Sequence, residues 1–100
     1  SVRSAGIHPQ QDGSYLIDGS THIREINRML EWELPTEGPK TLNGLILEHL
    51  EMIPMPGTSL LIANYPVEIT RTDKNAVQAA RIHPRLATED ETAASDMETS

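Results

Sequence analysis

The chain has no cysteine, no phenylalanine and only three aromatic residues, Tyr15, Trp32 and Tyr65. Without thiols there is neither a disulfide framework nor a thiolate metal site, a composition that suits a reducing compartment. With so few rings, the core falls to Leu, Ile and Val. No apolar run approaches the roughly 20 residues that a membrane span requires, and the N-terminus shows no signal-peptide pattern. A soluble module with no direct membrane insertion is expected. Basic residues are scarce: 8 Lys and Arg stand against 15 Asp and Glu, for a formal charge of -7. No nucleic-acid partner is expected, because the acidic balance argues against the basic face that a phosphate backbone needs. Catalytic patterns are also missing. There is no glycine-rich phosphate loop, no His-x-x-x-His pair and no Ser-His-Asp grouping, so no enzyme is expected.

What charge there is lies unevenly. Residues 85–100 hold five acids (Glu89, Asp90, Glu91, Asp96, Glu98) against Arg85, a net of -4 that leaves -3 for the other 84 residues. Leu86 and Met97 are the only large apolar groups there, too few to offset the entropy of ordering the chain. The expected organisation is an N-terminal extension over 1–6, one folded domain over 7–84 and a disordered acidic tail over 85–100. A core of that size buries only about 60% of its unfolded surface, so stability should be modest. The start at Ser1 without methionine fits a fragment of a longer protein, and equally a processed N-terminus.

Periodicity supplies the elements. Asp12-Gly13 and Asp18-Gly19 are turns in which glycine provides positive φ, and 14–18 between them alternates as a strand. Thr21 is the expected N-cap of a helix running to Leu30, with Ile23, Ile26 and Leu30 on one stripe. Residues 32–40, rich in Pro and Gly, form a connector. Thr41 then caps a second helix whose apolar face is Leu42, Leu45, Ile46, His49, Leu50 and Ile53. Gly44 within it costs about 1 kcal/mol relative to alanine, which implies close approach by a neighbour. Strands follow at 59–63, 67–72 and 76–82, separated by Asn64-Tyr65-Pro66 and Asp73-Lys74-Asn75. The predicted buried set is Ile17, Ile23, Ile26, Leu30, Leu42, Leu45, Ile46, Leu50, Val67, Ile69 and Val77.

Candidate site residues are few. Asp18, His22 and Glu25 could share a metal ion, with a turn aspartate and a solvated helix face as the plainer reading. Trp32, Met52, Met55 and Tyr65 are the apolar groups available for a partner surface, Trp32 serving otherwise as an anchor that closes the core.

Several short signals in order resemble one family: Asp18-Gly19, Thr21 with Ile23-Arg24-Glu25, Leu34-Pro35, Thr41-Leu42-Asn43-Gly44, Ile53 to Gly57 and the strands from Ser59 to Ile82. Together they resemble the CorC/HlyC domain, the C-terminal module of bacterial membrane proteins linked to magnesium and cobalt efflux and often labelled hemolysins. The resemblance implies an α+β fold, order β-α-α-β-β-β, with about four strands in a small sheet and two helices packed on it, like a fragment of the PCMH-type FAD-binding fold. It also decides 76–82 in favour of a strand, against the helical propensity of Asn75 to Arg81. The function it implies is a non-catalytic regulatory domain at the cytoplasmic face of the bacterial inner membrane. Its partners would be transmembrane and CBS domains of the same parent chain, with a homodimer left open. No cofactor is expected. Flavin adenine dinucleotide (FAD) enters only by analogy of fold, which is not a site, and divalent-ion sensing through surface carboxylates is a third reading.

Overall fold

The computed structural model describes residues 5–87. Seven elements occur in the order β1 (Ile7–Pro9), β2 (Tyr15–Asp18), α1 (Ile23–Leu30), α2 (Leu42–His49), β3 (Ser59–Ile62), β4 (Tyr65–Asp73) and β5 (Ala76–Ile82). The fold is the expected α+β arrangement with one more strand. All five strands pair antiparallel in the order β1-β2-β5-β4-β3. β1 was absent from the expected set. Its three residues give no periodic signal, yet Ile7 is buried opposite Ile17, and Pro9 is tolerated because the strand lies at an edge.

The core lies between the helices and one face of the sheet. Ile23 and Ile26 of α1 and Leu42, Leu45 and Ile46 of α2 meet Ile17, Val67, Ile69, Val77, Ala80 and Ile82. Two members of the predicted set, Leu30 and Leu50, are only half-buried against this cluster. Ile53 is 64% exposed in the loop beyond α2, so it takes no part in the helix face. His49 is exposed too, with Nδ1 lying 3.0 Å from the Leu45 carbonyl.

Local chemistry explains most boundaries. Thr41 caps α2 by accepting the Gly44 N–H at 3.2 Å. A Cβ at Gly44 would come within 2.8 Å of the Pro39 ring, so the close neighbour is the connector itself. Thr21 does not cap α1. The N-cap is His22, without a side-chain bond, whereas Thr21 is buried and donates its hydroxyl to Gly6 O at 3.5 Å. Of the two Asp-Gly turns, only Gly13 has positive φ, at 89°. Gly19 serves close approach instead: its N–H donates to Gln78 O, and any Cβ there would run into the Val77 carbonyl. The β3–β4 turn is Ala63-Asn64, with φ of 50° and 70°, so Tyr65 and Pro66 belong to β4. Both hairpins follow the primed pattern, with positive φ at both central residues.

At the ends of the described region, Gly6 O accepts the Asp18 N–H and Leu86 N–H donates to Asn64 O, each at 2.8 Å. Arg85 pairs with Glu33 at 3.0 Å. The acidic tail from 88 onward and residues 1–4 of the expected N-terminal extension lie outside the described residues.

Candidate functional site

The metal candidates are not gathered. Asp18, at the end of β2, faces His8 across the strand pair, with Oδ1 3.6 Å from Nε2. His22 stands exposed at the head of α1, where a cavity of about 470 Å³ is lined by Arg24, Glu37 and Lys40 as well. Glu25 lies in the first turn of that helix. Among the described residues, no three His, Cys, Asp or Glu side chains come together in a group that could hold a metal ion.

The four partner-surface candidates divide by environment. Trp32 follows the left-handed residue Glu31 that ends α1, and it is held between two tyrosines. Tyr15 meets it edge-on at 5.4 Å, and Tyr65 lies tilted at 4.9 Å. Tyr65 is only 3% exposed, and its hydroxyl accepts the Glu33 N–H at 2.7 Å. It is therefore a core residue of β4 and not a loop residue. The two-residue turn at 63–64 is what draws it into the strand. Asn27 fixes the same corner, its amide donating to Leu34 O and accepting from Leu34 N–H, both at 2.9 Å. Trp32 is thus mainly an anchor, half-buried against the core.

Met52 and Met55, by contrast, are 67% and 62% exposed. They stand in the loop between α2 and β3, where Pro54 is the buried residue. The loop is tied to β4 by the Gly57 N–H donating to Ile69 O at 2.7 Å and the Ile69 N–H donating to Thr58 O at 2.8 Å. Ile53 in the same loop and Leu61 on edge strand β3 are exposed as well. The sequence pattern marks neither as a surface residue. A four-residue apolar strand does not by itself reveal which of its faces is covered.

Leu61 lies beside Pro66 on the face of the sheet away from the helices, next to a cavity of about 390 Å³ that reaches Ser59, Glu68 and His83. Leu16, opposite Arg81, and several polar groups occupy more of this face. Glu68 and Arg81, opposite each other on β4 and β5, bond at 3.2 Å. Asp12 accepts from the Ser14 hydroxyl and the Ser14 N–H, which hold its carboxyl below the ordinary aspartate value.

The family model described as "Transporter associated domain" (CorC_HlyC) matches residues 8–85. This chain belongs to that family. One relative of the transporter-associated domain is the UPF0053 inner membrane protein YfjD of Escherichia coli (strain K12). It is 41% identical over 78 residues, which make up 78% of this chain and 18% of that protein. The chain therefore spans less than a fifth of that relative's length. Among solved structures, a functionally unknown conserved protein from Haemophilus influenzae Rd KW20 superposes with a TM-score of 0.77 at 43% identity, covering 82% of this chain and 100% of that one. A transporter associated domain from a Xylella fastidiosa Temecula1 hemolysin, solved in complex with Mg++ and Mn++, superposes with a TM-score of 0.70 at 29% identity, covering 83% and 100%. Among the described residues of the present domain, no helix is long and apolar enough to cross a membrane.

Proposed function

We propose that this domain is a non-catalytic regulatory module of a membrane protein that exports divalent cations, magnesium or cobalt, and that it works at the cytoplasmic face of the inner membrane. One observation carries the reading: a transporter-associated domain that matches 18% of a longer inner membrane protein and has no spanning helix among its described residues. An ion route through the bilayer then belongs to other parts of the parent chain, and this module acts on it by coupling. Such coupling is typically worth about 1–3 kcal/mol, or five- to about a hundredfold in an equilibrium. Transmembrane and CBS domains of the same chain are its partners, and Trp32, with its remaining exposed area, is one contact point for them.

The test compares cation efflux by the full-length parent and by a form lacking this domain, matched for membrane expression. The expected outcome is altered rate or ion dependence with the transport pathway retained. Unchanged kinetics would remove the regulatory role, and complete loss from correctly inserted protein would make the domain part of the transport machinery.

Divalent-ion sensing has one observation in its favour, the Mg++ and Mn++ held by the Xylella fastidiosa structure. Calorimetry of this domain with either ion tests it. A dissociation constant below about 10 μM, roughly -7 kcal/mol, would favour sensing. Flavin binding has no comparable support in the relatives or the geometry.

A further inference from the structure

The two edges of the sheet are built differently. The β1 edge is three residues long, contains Pro9, and bears the His8–Asp18 pair, all of which discourage addition of another strand. The β3 edge reads Ser-Leu-Leu-Ile and has neither proline nor charge. It sits inside a stretch from Met52 to Val67 with no Asp, Glu, Lys, Arg or His, and no other uncharged stretch of the chain reaches half that length. Met52, Ile53, Met55 and Leu61, four of the exposed large apolar side chains, fall within it. The remaining one among the described residues, Leu86, is fastened to it through Asn64 O. Among the described residues, exposed large apolar side chains are therefore gathered on edge strand β3, the loop that leads into it and the segment bonded to its turn, the pattern of an interaction site rather than of scattered surface residues.

The backbone of that edge is available. With Ala63-Asn64 as a two-residue turn, Ile62 and Tyr65 form the closing bonded pair, and alternation makes Leu60 and Val67 the next. Ser59 and Leu61 then direct N–H and C=O away from β4. The bonds of Gly57 and Thr58 to Ile69 hold the strand in this geometry without help from a partner.

We propose that β3 pairs antiparallel with β3 of a second copy of this chain about a two-fold axis near Leu60 and Leu61, merging two five-stranded sheets into one. A two-fold contact sets a patch against itself, so the patch must be self-complementary. An uncharged edge meets that condition and adds no local like-charge contact to the general repulsion between molecules carrying -7 each. The reciprocal bonds of Ser59 and Leu61 satisfy the same symmetry, and the Met52–Met55 loop flanks the seam. This surface is independent of the transporter reading.

Sedimentation equilibrium of the 100-residue chain from about 1 μM to about 1 mM, the range of -8.2 to -4.1 kcal/mol, should show a monomer–dimer equilibrium. Leu61→Lys, which sets two charges across the axis, should weaken it at least about tenfold without moving the unfolding midpoint measured at concentrations where both forms are monomeric. Gln78→Lys, on an exposed position of central strand β5, should leave it unchanged. Amide exchange at Ser59 and Leu61 should slow as concentration rises, while Lys74 in the other hairpin exchanges as before. A monomer throughout the range would overturn the proposal and leave the edge to another partner, such as a segment of a longer parent chain. A dimer that survives Leu61→Lys, or one that forms without protecting Ser59 and Leu61, would overturn it as well.

Discussion

Asn43 joins α2 to β5 and to the turn after β2 through one side chain and one amide. Its Oδ1 accepts the Val77 N–H of β5 at 2.7 Å, and its own N–H donates to Gly19 O at 2.8 Å. Asn43→Ala would leave the buried Val77 N–H without that partner, which costs about 1–3 kcal/mol. Urea unfolding should show that loss, with Asn43→Asp milder because it keeps an acceptor. Asp12 makes a second prediction at this scale, this time for pH. The Ser14 hydroxyl and then the Ser14 N–H lower its carboxyl pKa in the folded state. A lowered folded value means a stabilising contribution that is present above the unfolded aspartate pKa and lost as pH falls through the folded one. NMR titration of the Asp12 carboxyl should give a midpoint below the ordinary value, and Ser14→Ala should raise it. Single residues were the least legible in sequence. Gly19 looked like a positive-φ turn because Asp-Gly usually is one, but its necessity comes from Val77, far along the chain. Tyr65 looked like a loop residue because Asn and Pro flank it, and only the strand register shows it buried.

Elements were more legible where one stripe or one cap sufficed. In α2, the Thr41 cap and the buried Leu42, Leu45 and Ile46 agree with periodicity alone. Leu45→Ala should therefore cost about 2–5 kcal/mol in denaturant unfolding, and a loss below about 0.5 kcal/mol would mean that the site is not packed as described. β5 is a strand against its alanine-rich helical propensity, and its placement explains the override. It lies between β2 and β4, where small Ala79 and Ala80 are buried and the ladder is irregular opposite Arg71. The hairpin turns were harder, because neither contains glycine. Ala63 holds φ of 50°, a conformation that costs an L-residue about 1–2 kcal/mol. Ala63→Gly removes that strain but gives back about 0.4–1 kcal/mol in unfolded-chain entropy. The net expectation is a stabilisation of up to about 1.6 kcal/mol, read as a rise in unfolding midpoint. A fall would show that the Ala63 methyl contributes packing.

At the scale of the whole molecule, family and fold class were legible because they rest on the order of many short signals, whereas the exposed edge was not, since exposure depends on which strands end the sheet. Charge distribution links that edge to the acidic C-terminal segment. Residues 88–100 contain Glu89, Asp90, Glu91, Asp96 and Glu98 and no base, so deleting them changes the formal charge from -7 to -2. Met97 is the only large apolar residue in that stretch of sequence, which leaves little to bury. Folding stability should therefore stay within about 1 kcal/mol, which for a domain of this size is a shift of no more than about 4–8 °C in the unfolding midpoint. Association should respond differently. Two copies meeting at an uncharged edge still approach through the field of their total charge, so removing five carboxylates from each should tighten the dimer at low ionic strength. The gain should vanish near 1 M salt, where screening acts over about 3 Å. Sedimentation of the intact and shortened chains at both salt concentrations checks this. A large fall in midpoint would assign packing to residues 88–100, and equal association at low salt would show that net charge does not govern the encounter.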